Sequence, residues 1–259
     1  MATALVTGAG HRIGRAMALY LADRGYDVGV HYASSDKGAR ETVAMIEAQG
    51  RRAVALQADL LEDAQTEALF AKTVEHLGGP VTCLINNASI FEYDTVESAT
   101  RATWDKHMQS NLRAPFVLTQ AMAAQGLKPA EDDAGEPVAT GLVINMVDQR
   151  VRKLTPEFMT YTLAKMGLWA MTRTTAQALA PAIRVNGIGP GPTLQGGRQS
   201  EEHFAQQRAN TTLERGSNPQ DMTAALGYFL DAPAVTGQLL CVDGGQHLAW
   251  QTPDVLGVE

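Results

Sequence analysis

The sequence contains little cysteine, no long apolar run and no cluster of basic residues. Two of its 259 residues are cysteine, Cys83 and Cys241, and both lie in short apolar stretches, which indicates buried free thiols rather than a disulfide or a metal site. No window approaches the roughly 18 consecutive apolar residues that a membrane-spanning helix requires. Acidic residues outnumber basic residues by 28 to 21, and the net charge of −7 argues against nucleic acid as a partner.

The amino-terminal segment also lacks the features of a secretion signal. Residues 1–8 contain no positive charge and no extended apolar core, so we expect a cytoplasmic protein. The composition is 45% hydrophobic and 19% charged, which is ordinary for a globular protein and excludes disorder over most of the length. Because α/β folds of this size often form one domain, we expect a single domain over residues 1–259.

Short β-branched runs alternate with longer helical patterns along the whole chain. Most strand candidates are continuously apolar, which predicts strands that are covered on both faces, as in the parallel sheet of an α/β fold. The predicted strands are residues 4–7, 28–32, 53–57, 83–86, 142–145, 183–188 and 238–242. The predicted helices are residues 13–24, 38–49, 62–77, 103–125, 160–180 and 219–230.

Two stretches interrupt this alternation. Residues 126–140 contain two prolines and a run of acids, and they predict a solvated surface loop. Residues 189–197 are rich in glycine and proline, follow a predicted strand and precede a polar helical segment that begins near Ser200. Such a position is typical of a mobile lid, and we expect one at about residues 192–208.

The turn between the first strand and the first helix predicts a binding site for a dinucleotide. Its glycines, among them Gly8 and Gly14, allow main-chain N–H groups to approach a phosphate at the start of the helix. Arg12, within the same turn, adds a cation that suits a phosphate. A plain tight turn, with Arg12 facing solvent, is the alternative interpretation.

The end of the second strand favours NADPH over NADH. Where an acid would bind the adenosine 2′-hydroxyl, this chain has Tyr32 and Ala33, so no carboxylate repels a 2′-phosphate. The turn arginine, Ser34 and Ser35 are donors for that phosphate. Asp36 follows closely and argues the other way, although helix capping is an alternative role for it.

Tyr161 and Lys165 lie four residues apart, on one face of a predicted helix. A nearby ammonium favours the phenolate, so we expect Lys165 to lower the pKa of Tyr161 from about 10 toward the working range of a proton donor. Such pairs also occur on ordinary helix surfaces. Asp148 follows the preceding strand, and because active groups gather at the carboxyl ends of parallel strands, we expect Asp148 and Tyr161 to meet.

These motifs resemble those of the short-chain dehydrogenase/reductase family over essentially the whole chain. The resemblance implies a Rossmann-type doubly wound parallel sheet of about seven strands, and a homotetramer. It places Asn111, Tyr161 and Lys165 at the family's catalytic positions. The cofactor-binding positions that the resemblance implies are Gly8, Arg12, Ile13, Gly14, His31, Tyr32, Ser34, Ser35, Asp59, Leu60, Asn87, Ala88, Ser89, Tyr161, Lys165, Pro190 and Gly191.

Asp148 occupies the position where the family usually has a catalytic serine. An ionised carboxylate accepts hydrogen bonds without donating, and its charge opposes an oxyanion, so ordinary ketone reduction should suffer. A carboxylate suits an N–H-rich ring on which positive charge develops, which favours reduction of a C=N bond. Together with the arginine-bearing turn, this aspartate resembles the pteridine reductase branch. That resemblance implies substrate contacts at Ser89, Phe91, Asp148 and Tyr161.

The resulting hypothesis is an NADPH-dependent reductase of pteridines such as dihydrobiopterin, dihydromonapterin or dihydrofolate. In this hypothesis Lys165 orients the nicotinamide ribose, and Tyr161 with Asp148 relays a proton to the ring nitrogen. Asn111 holds a supporting water, and Phe91 stacks on the ring.

Two alternatives remain open. One is an NADPH-dependent carbonyl reductase, such as a 3-oxoacyl thioester reductase, in which Asp148 is protonated and donates like a serine. The other is a cofactor-binding sensor or scaffold without turnover. Phe158 fits a wall of the substrate pocket and core packing equally well. The histidines show no metal-ligand spacing, so no metal is expected.

Overall fold

A computed structural model describes residues 2–197 and 199–252, in which helices cover both faces of a seven-stranded sheet. The strands are β1 (Thr3–Val6), β2 (Asp27–Tyr32), β3 (Ala53–Gln57), β4 (Cys83–Asn86), β5 (Ala130–Glu131), β6 (Pro137–Val138), β7 (Gly141–Met146), β8 (Ile183–Pro190) and β9 (Leu239–Val242). The α-helices are α1 (Arg12–Asp23), α2 (Asp36–Ala48), α3 (Asp63–Leu77), α4 (Arg101–Met108), α5 (Ala114–Ala124), α6 (Met159–Leu179), α7 (Glu201–Ala209) and α8 (Pro219–Asp231).

The main sheet has the strand order β3-β2-β1-β4-β7-β8-β9, and every neighbouring pair is parallel. The predicted α/β fold is therefore confirmed. From β1 the chain builds outward to β2 and β3, and it then returns to place β4 on the opposite side of β1. This reversal opens a crevice at the carboxyl ends of β1 and β4, which is where ligands bind in doubly wound sheets.

Alternate side chains of each strand enter two separate apolar layers. In β1, Ala4 and Val6 join the layer that contains residues of α1 and α8, whereas Leu5 joins the layer that contains residues of α3 and α5. All three side chains are fully buried, and full burial of a valine or leucine contributes roughly 1.5–3 kcal/mol. Coverage on both faces explains why the strands read as continuous apolar runs rather than alternating ones.

The helix predicted over residues 103–125 is interrupted in the structure. A π-helical turn, Gln109–Arg113, separates α4 from α5. Pro115 has no amide hydrogen to donate to the carbonyl of Asn111, four residues earlier, and its ring opposes the α-helical geometry there. The wider turn accommodates this mismatch and sets Asn111 at its centre.

The stretch 126–140 is mostly exposed, as predicted, but it is not a structureless loop. β5 and β6 pair as a short antiparallel hairpin within it. The carboxylate of Asp132 accepts the main-chain N–H groups of Ala134 and Glu136, both at 2.9 Å. The acidic run therefore includes the residue that shapes the hairpin turn, because aspartate readily accepts hydrogen bonds from nearby N–H groups.

The remaining sequence expectations concern the cysteines and the lid. Cys83 is fully buried in β4, whereas Cys241 in β9 is only partly buried; both are free. The polar helix expected near Ser200 is α7, and the Ser200 hydroxyl accepts the N–H of His203 at 3.1 Å. One position of the expected lid, Arg198, lies outside the described residues. Among the residues that the structure describes, no helix has both the length and the apolar character needed to cross a membrane.

Candidate functional site

A cavity of about 290 Å³ lies beside the turn that joins β1 to α1, at the crevice between β1 and β4. Its lining combines the glycine-rich turn, the end of β2 and the segment after β4. The residues are Gly8, Gly10, His11, Arg12, Ile13, Gly14, His31, Tyr32, Ala33, Ser34, Ser35, Asn87, Ala88 and Ser89. Most of the predicted cofactor positions therefore surround one cavity.

Gly14 allows α1 to pack directly against the turn. A Cβ atom at position 14 would lie 2.2 Å from the carbonyl oxygen of Gly8 and 2.6 Å from the amide nitrogen of Asn87. Neither distance is tolerable, so any other residue would displace the turn. The close packing leaves the unpaired N–H groups of the first turn of α1 beside the cavity, where they suit an anion.

Thr7 and Asn87 connect the two sides of the crevice. The Thr7 hydroxyl accepts the main-chain N–H groups of Asn87 and Ala88, both at 2.9 Å. In return, the Asn87 side-chain amide donates to the carbonyl of Thr7 at 2.8 Å. These bonds fix the distance between the segments after β1 and β4. Asn87 thus shapes the cavity by holding the main chain around it in place.

His31 supports the turn from behind. Its Nδ1 accepts the N–H of Gly8 at 3.0 Å, so its Nε2 carries the proton and donates to the carbonyl of Ala58, also at 3.0 Å. Burial lowers the pKa of His31 to about 4, because a charged ring would be poorly solvated there. Both ring nitrogens bind main-chain groups, so His31 supports the turn, and its contact with the cofactor stays a prediction.

Arg12 bridges the cavity to the expected lid. Its guanidinium donates to the carbonyls of Gln195 at 2.9 Å and Leu194 at 3.1 Å. The residue has a φ of +55°, in the left-handed region that non-glycine residues rarely adopt. The sequence suggested that this guanidinium binds a phosphate; in the structure it holds the lid backbone beside the cavity.

The acid that argued against a 2′-phosphate is the first residue of α2. Asp36 accepts a hydrogen bond from the Tyr32 hydroxyl at 2.7 Å and pairs with Arg40 at 2.8 Å. Both partners of this carboxylate are side chains, so its described hydrogen bonds do not include the main-chain N–H of a helix cap, the alternative role for this residue. Ser34 and Ser35 line the cavity next to it.

Six predicted cofactor positions do not line the cavity: Tyr161 and Lys165, which are described below, and four residues at the ends of β3 and β8. The carboxylate of Asp59 accepts the N–H of Leu61 at 3.0 Å and shapes the segment after β3, where Leu60 is buried. Pro190 ends β8. The N–H of Gly191 donates to Val242 at 3.1 Å. All four residues remain at the carboxyl edge of the sheet, so their cofactor contacts stay predictions.

Tyr161 and Asp148 meet, as the sequence predicted. The phenol of Tyr161, in α6, donates to a carboxylate oxygen of Asp148 at 2.8 Å. Asp148 follows β7, and its other oxygen accepts the main-chain N–H of Arg150 at 2.8 Å. Lys165 is buried one helical turn after Tyr161, and its ammonium donates to the carbonyl of Met146 at 2.7 Å.

The expected lowering of the Tyr161 pKa is wrong. Burial and the adjacent Asp148 carboxylate raise the pKa of Tyr161 well above its ordinary value, because both oppose a phenolate. Burial also raises the pKa of Asp148 and lowers the pKa of Lys165 to about 8. The ammonium donates to a carbonyl, so Tyr161 is a phenol that keeps its proton and donates a hydrogen bond to the carboxylate of Asp148.

Asn111 is buried in the π-helical turn, and its side chain binds the main chain of Ile90. Its amide oxygen accepts the N–H of Ile90 at 2.9 Å, and its amide nitrogen donates to the carbonyl of Ile90 at 2.8 Å. One N–H of the amide is not used in these bonds, and the supporting water that the sequence suggested stays a prediction. It anchors the segment that carries Ser89 and Phe91 beside the dyad of Tyr161 and Asp148.

Aromatic rings form a wall next to the dyad. Phe91 and Phe158 stack with centroids 4.2 Å apart and an angle of 9° between their planes. Phe91 also contacts the ring of Tyr161 edge-on at 4.6 Å, and Tyr93 contacts Phe158 edge-on at 5.2 Å. Phe158 lies immediately before α6 and has a φ of +55°, in the left-handed region. In this conformation its ring stacks on Phe91. We call these four rings the aromatic wall.

A buried polar network behind the wall was not found from the sequence. His107 accepts the N–H of Glu92 at 3.1 Å, and its other ring nitrogen donates to the Thr160 hydroxyl at 2.7 Å. That hydroxyl donates to the carboxylate of Asp94, which also accepts the N–H of Thr160 at 3.1 Å. The network links the segment after Phe91 to the start of α6. No spacing pattern relates its members, because they are adjacent only in the folded chain.

Comparison with protein-family models matches residues 8–247 to the family described as enoyl-(acyl carrier protein) reductase. Among curated relatives, L-rhamnose 1-dehydrogenase (NAD(P)(+)) of Sphingomonas sp. (strain SKA58) is 32% identical, over 96% of this chain and 97% of the relative. The 3-oxoacyl-[acyl-carrier-protein] reductase FabG of Staphylococcus epidermidis is 29% identical, over 95% of this chain and 99% of the relative.

A solved structure shows greater similarity. The FolM alternative dihydrofolate reductase 1 of Brucella canis, complexed with NADP, superposes with a TM-score of 0.90 at 40% identity. The match covers 98% of this chain and 97% of that one. The similarity therefore extends through both the turn after β1 and the elements that carry the dyad.

Proposed function

Since this chain belongs to the short-chain dehydrogenase/reductase family, we propose that it is an NADPH-dependent reductase of pteridines that converts a dihydropterin into a tetrahydropterin. The observation that carries the proposal is the 2.8 Å hydrogen bond from the Tyr161 phenol to the Asp148 carboxylate. A carboxylate beside a proton donor suits a ring on which positive charge develops. The 40% identity to a structure described as an alternative dihydrofolate reductase supports the same substrate class.

The residues around the cavity fit NADPH. The packing of Gly14 leaves helix N–H groups for a diphosphate, and Ser34 and Ser35 are donors for a 2′-phosphate. Asp36, the nearest acid in sequence, is already paired with Arg40. The similar structure from Brucella canis is an NADP complex, which supports this assignment. When bound, NADPH supplies the hydride that adds to the carbon of a C=N bond.

The dyad supplies the proton. As the carbon of the C=N bond accepts a hydride, the adjacent nitrogen takes a proton from the Tyr161–Asp148 pair, and solvent returns one proton to the pair afterwards. The raised pKa of Tyr161 keeps the phenol protonated before this step. Lys165, which the Met146 carbonyl holds in place, is assigned to the nicotinamide ribose. Asn111 positions Phe91 through Ile90, and Phe91, 44% exposed, is assigned to stack on the pterin ring.

A panel of substrates tests the proposal. Purified protein is mixed with NADPH or NADH and with 7,8-dihydrobiopterin, dihydromonapterin, dihydrofolate, a 3-oxoacyl thioester and simple ketones, and cofactor oxidation is followed by absorbance. We expect NADPH oxidation with at least one dihydropterin. Oxidation with the ketones or the thioester alone would exclude a pteridine reductase.

The similarity to FabG favours a second candidate, an NADPH-dependent carbonyl reductase. That candidate requires a protonated Asp148, whose pKa is raised by burial, to donate to a carbonyl oxygen as a serine does. Asp148→Ser then preserves or increases activity. A pteridine reductase instead loses turnover with Asp148→Ser, because the hydroxyl cannot balance a positive ring nitrogen.

We also propose that the protein assembles as a homotetramer, which needs two apolar surfaces. One is an open groove along α4 and α5 with a volume of about 770 Å³, and Leu112 and Phe116 are among its lining residues. The other contains Leu248, 58% exposed, and Trp250, 62% exposed. Exposed apolar surfaces of this kind are typical of subunit contacts. Light scattering after size-exclusion chromatography gives the mass, and a monomer would exclude the tetramer.

A further inference from the structure

Arg150 is a cation beside the aromatic wall that forms no salt bridge within residues 2–197 and 199–252. Its guanidinium donates to the hydroxyl of Thr155 and lies over the ring of Phe158, 5.0 Å from the centroid. The residue is partly exposed. A guanidinium has five N–H donors, so one hydroxyl partner leaves most of them for water or a ligand.

Contacts between side chains connect Arg150 to the reacting groups. Arg150 covers Phe158, Phe158 stacks on Phe91, and Phe91 contacts Tyr161 edge-on at 4.6 Å. The cation is therefore at the outer end of the wall, and the phenol is at its inner end. A flat substrate that lies along the wall with its reactive ring at Tyr161 extends its substituent toward Arg150.

The Arg150 side chain is not needed to hold the catalytic carboxylate. Asp148 accepts the main-chain N–H of Arg150, a bond that any residue except proline supplies. Arg15 and Arg24, by contrast, each form a salt bridge with an acid on another helix. Arg150 thus forms no salt bridge among the described residues, and its charge reaches Asp148 and Tyr161, whose pKa values burial raises and this cation lowers in part.

We propose that Arg150 determines substrate specificity by binding a carboxylate on the tail of the pteridine, an inference that rests on the proposed reductase function. Guanidinium and carboxylate form charge-assisted hydrogen bonds, often two in parallel, which makes the carboxylate the preferred partner. Dihydrofolate has such a group, because its tail is an acylated glutamate. The tails of dihydrobiopterin and dihydromonapterin have only hydroxyl groups and no charge.

The test compares dihydrofolate with dihydromonapterin in wild type and in Arg150→Gln, Arg150→Lys and Arg152→Gln, with saturating NADPH. For Arg150→Gln we expect the KM of dihydrofolate to rise about tenfold or more, while the KM of dihydromonapterin stays within about twofold. Arg150→Lys should restore part of the difference because it keeps the charge. Arg152→Gln changes the net charge equally, two residues away, and should leave both constants unchanged.

A measurement on the wild type makes the test independent of how the variants fold. Raising the salt concentration from about 50 to about 500 mM should increase the KM of dihydrofolate and leave that of dihydromonapterin nearly constant, because salt screens only the charged pair. Equal changes for both substrates, in the variants or with salt, would overturn the role of Arg150 and leave the reductase intact. Absence of turnover with every pteridine would overturn the proposed function itself, and this inference with it.

Discussion

The nucleotide side and the substrate side of the site are constructed differently. On the nucleotide side, around the turn after β1, the polar side chains of His31, Asn87 and Thr7 bind main-chain groups at about 3 Å. On the substrate side, the aromatic wall and Arg150 contact one another and solvent. The geometry of the first side is therefore fixed by the backbone, whereas the rings of the second are positioned mainly by contacts between side chains.

The largest expected effect is a loss of kcat that is caused by a substitution on the substrate side and leaves the nucleotide side unchanged. Tyr161→Phe removes the proton donor, and loss of a general acid typically lowers kcat by about 10²- to 10⁴-fold. The affinity for NADPH, measured by fluorescence titration, should change less than about twofold. Tyr93→Phe is the matched control, since Tyr93 also belongs to the wall but has no described hydrogen bond to Asp148. A similar loss of cofactor affinity in Tyr161→Phe would show that the two sides are not independent.

The second largest expected effect is on the unfolding free energy. It concerns His31, on the nucleotide side, and it depends on pH. The unfolded pKa of a histidine is about 6.5, and burial lowers that of His31 to about 4. The unfolded chain binds more protons in this interval, so the contribution of His31 to stability, complete above pH 6.5, declines by about 3 kcal/mol as the pH falls to 4. The difference in unfolding free energy between wild type and His31→Leu, from urea titrations, should shrink accordingly.

The exposed His203 provides the control for that measurement. His203→Leu should give a difference from wild type that is nearly independent of pH, because this side chain lies in solvent rather than in the apolar interior. A pH-independent difference for His31→Leu would refute the neutral, backbone-bound ring.

Gly14→Ala tests whether the turn after β1 holds the diphosphate. The added Cβ would lie 2.2 Å from the Gly8 carbonyl oxygen, and relief of such overpacking costs about 1–3 kcal/mol. We expect weaker NADPH binding and a lower Tm. The control is Gly79→Ala, where the nearest atom would be 3.8 Å away. Unchanged cofactor affinity in Gly14→Ala would mean that the turn does not hold the diphosphate.

The smallest effect should come from Arg12→Met. It removes two partly solvated hydrogen bonds to Leu194 and Gln195, a loss of about 0.5–1.5 kcal/mol for the lid segment. Hydrogen exchange over residues 192–197 should accelerate, whereas Arg173→Met, which removes a cation that lies over Trp169, should leave exchange there unchanged. Identical exchange rates in both variants would show that the hydrogen bonds of Arg12 do not stabilise the lid segment.

The sequence predicted features that follow from patterns along the chain, and it missed features that depend on contacts formed only in the folded chain. The parallel sheet followed from continuous apolar runs, and the meeting of Tyr161 and Asp148 followed from their positions relative to one strand end. The π-helical turn at Asn111 required the effect of Pro115 on the preceding carbonyl, which a periodic pattern does not contain. The pKa of Tyr161 was misjudged because the spacing of Tyr161 and Lys165 does not report burial, and burial with Asp148 outweighs the ammonium. Arg150 was missed because a lone arginine has no motif.

The network of His107, Thr160 and Asp94 joins two parts of the substrate side that the chain separates by some 66 residues. Thr160 immediately precedes Tyr161, so a displacement of the segment around Asp94 is transmitted to the phenol by stiff hydrogen bonds rather than absorbed by a loop. Substrate contact with the wall and alignment of the acid are thus mechanically coupled. A ligand that stacks badly on Phe91 would slow its own protonation, and discrimination between substrates would appear in the chemical step as well as in binding.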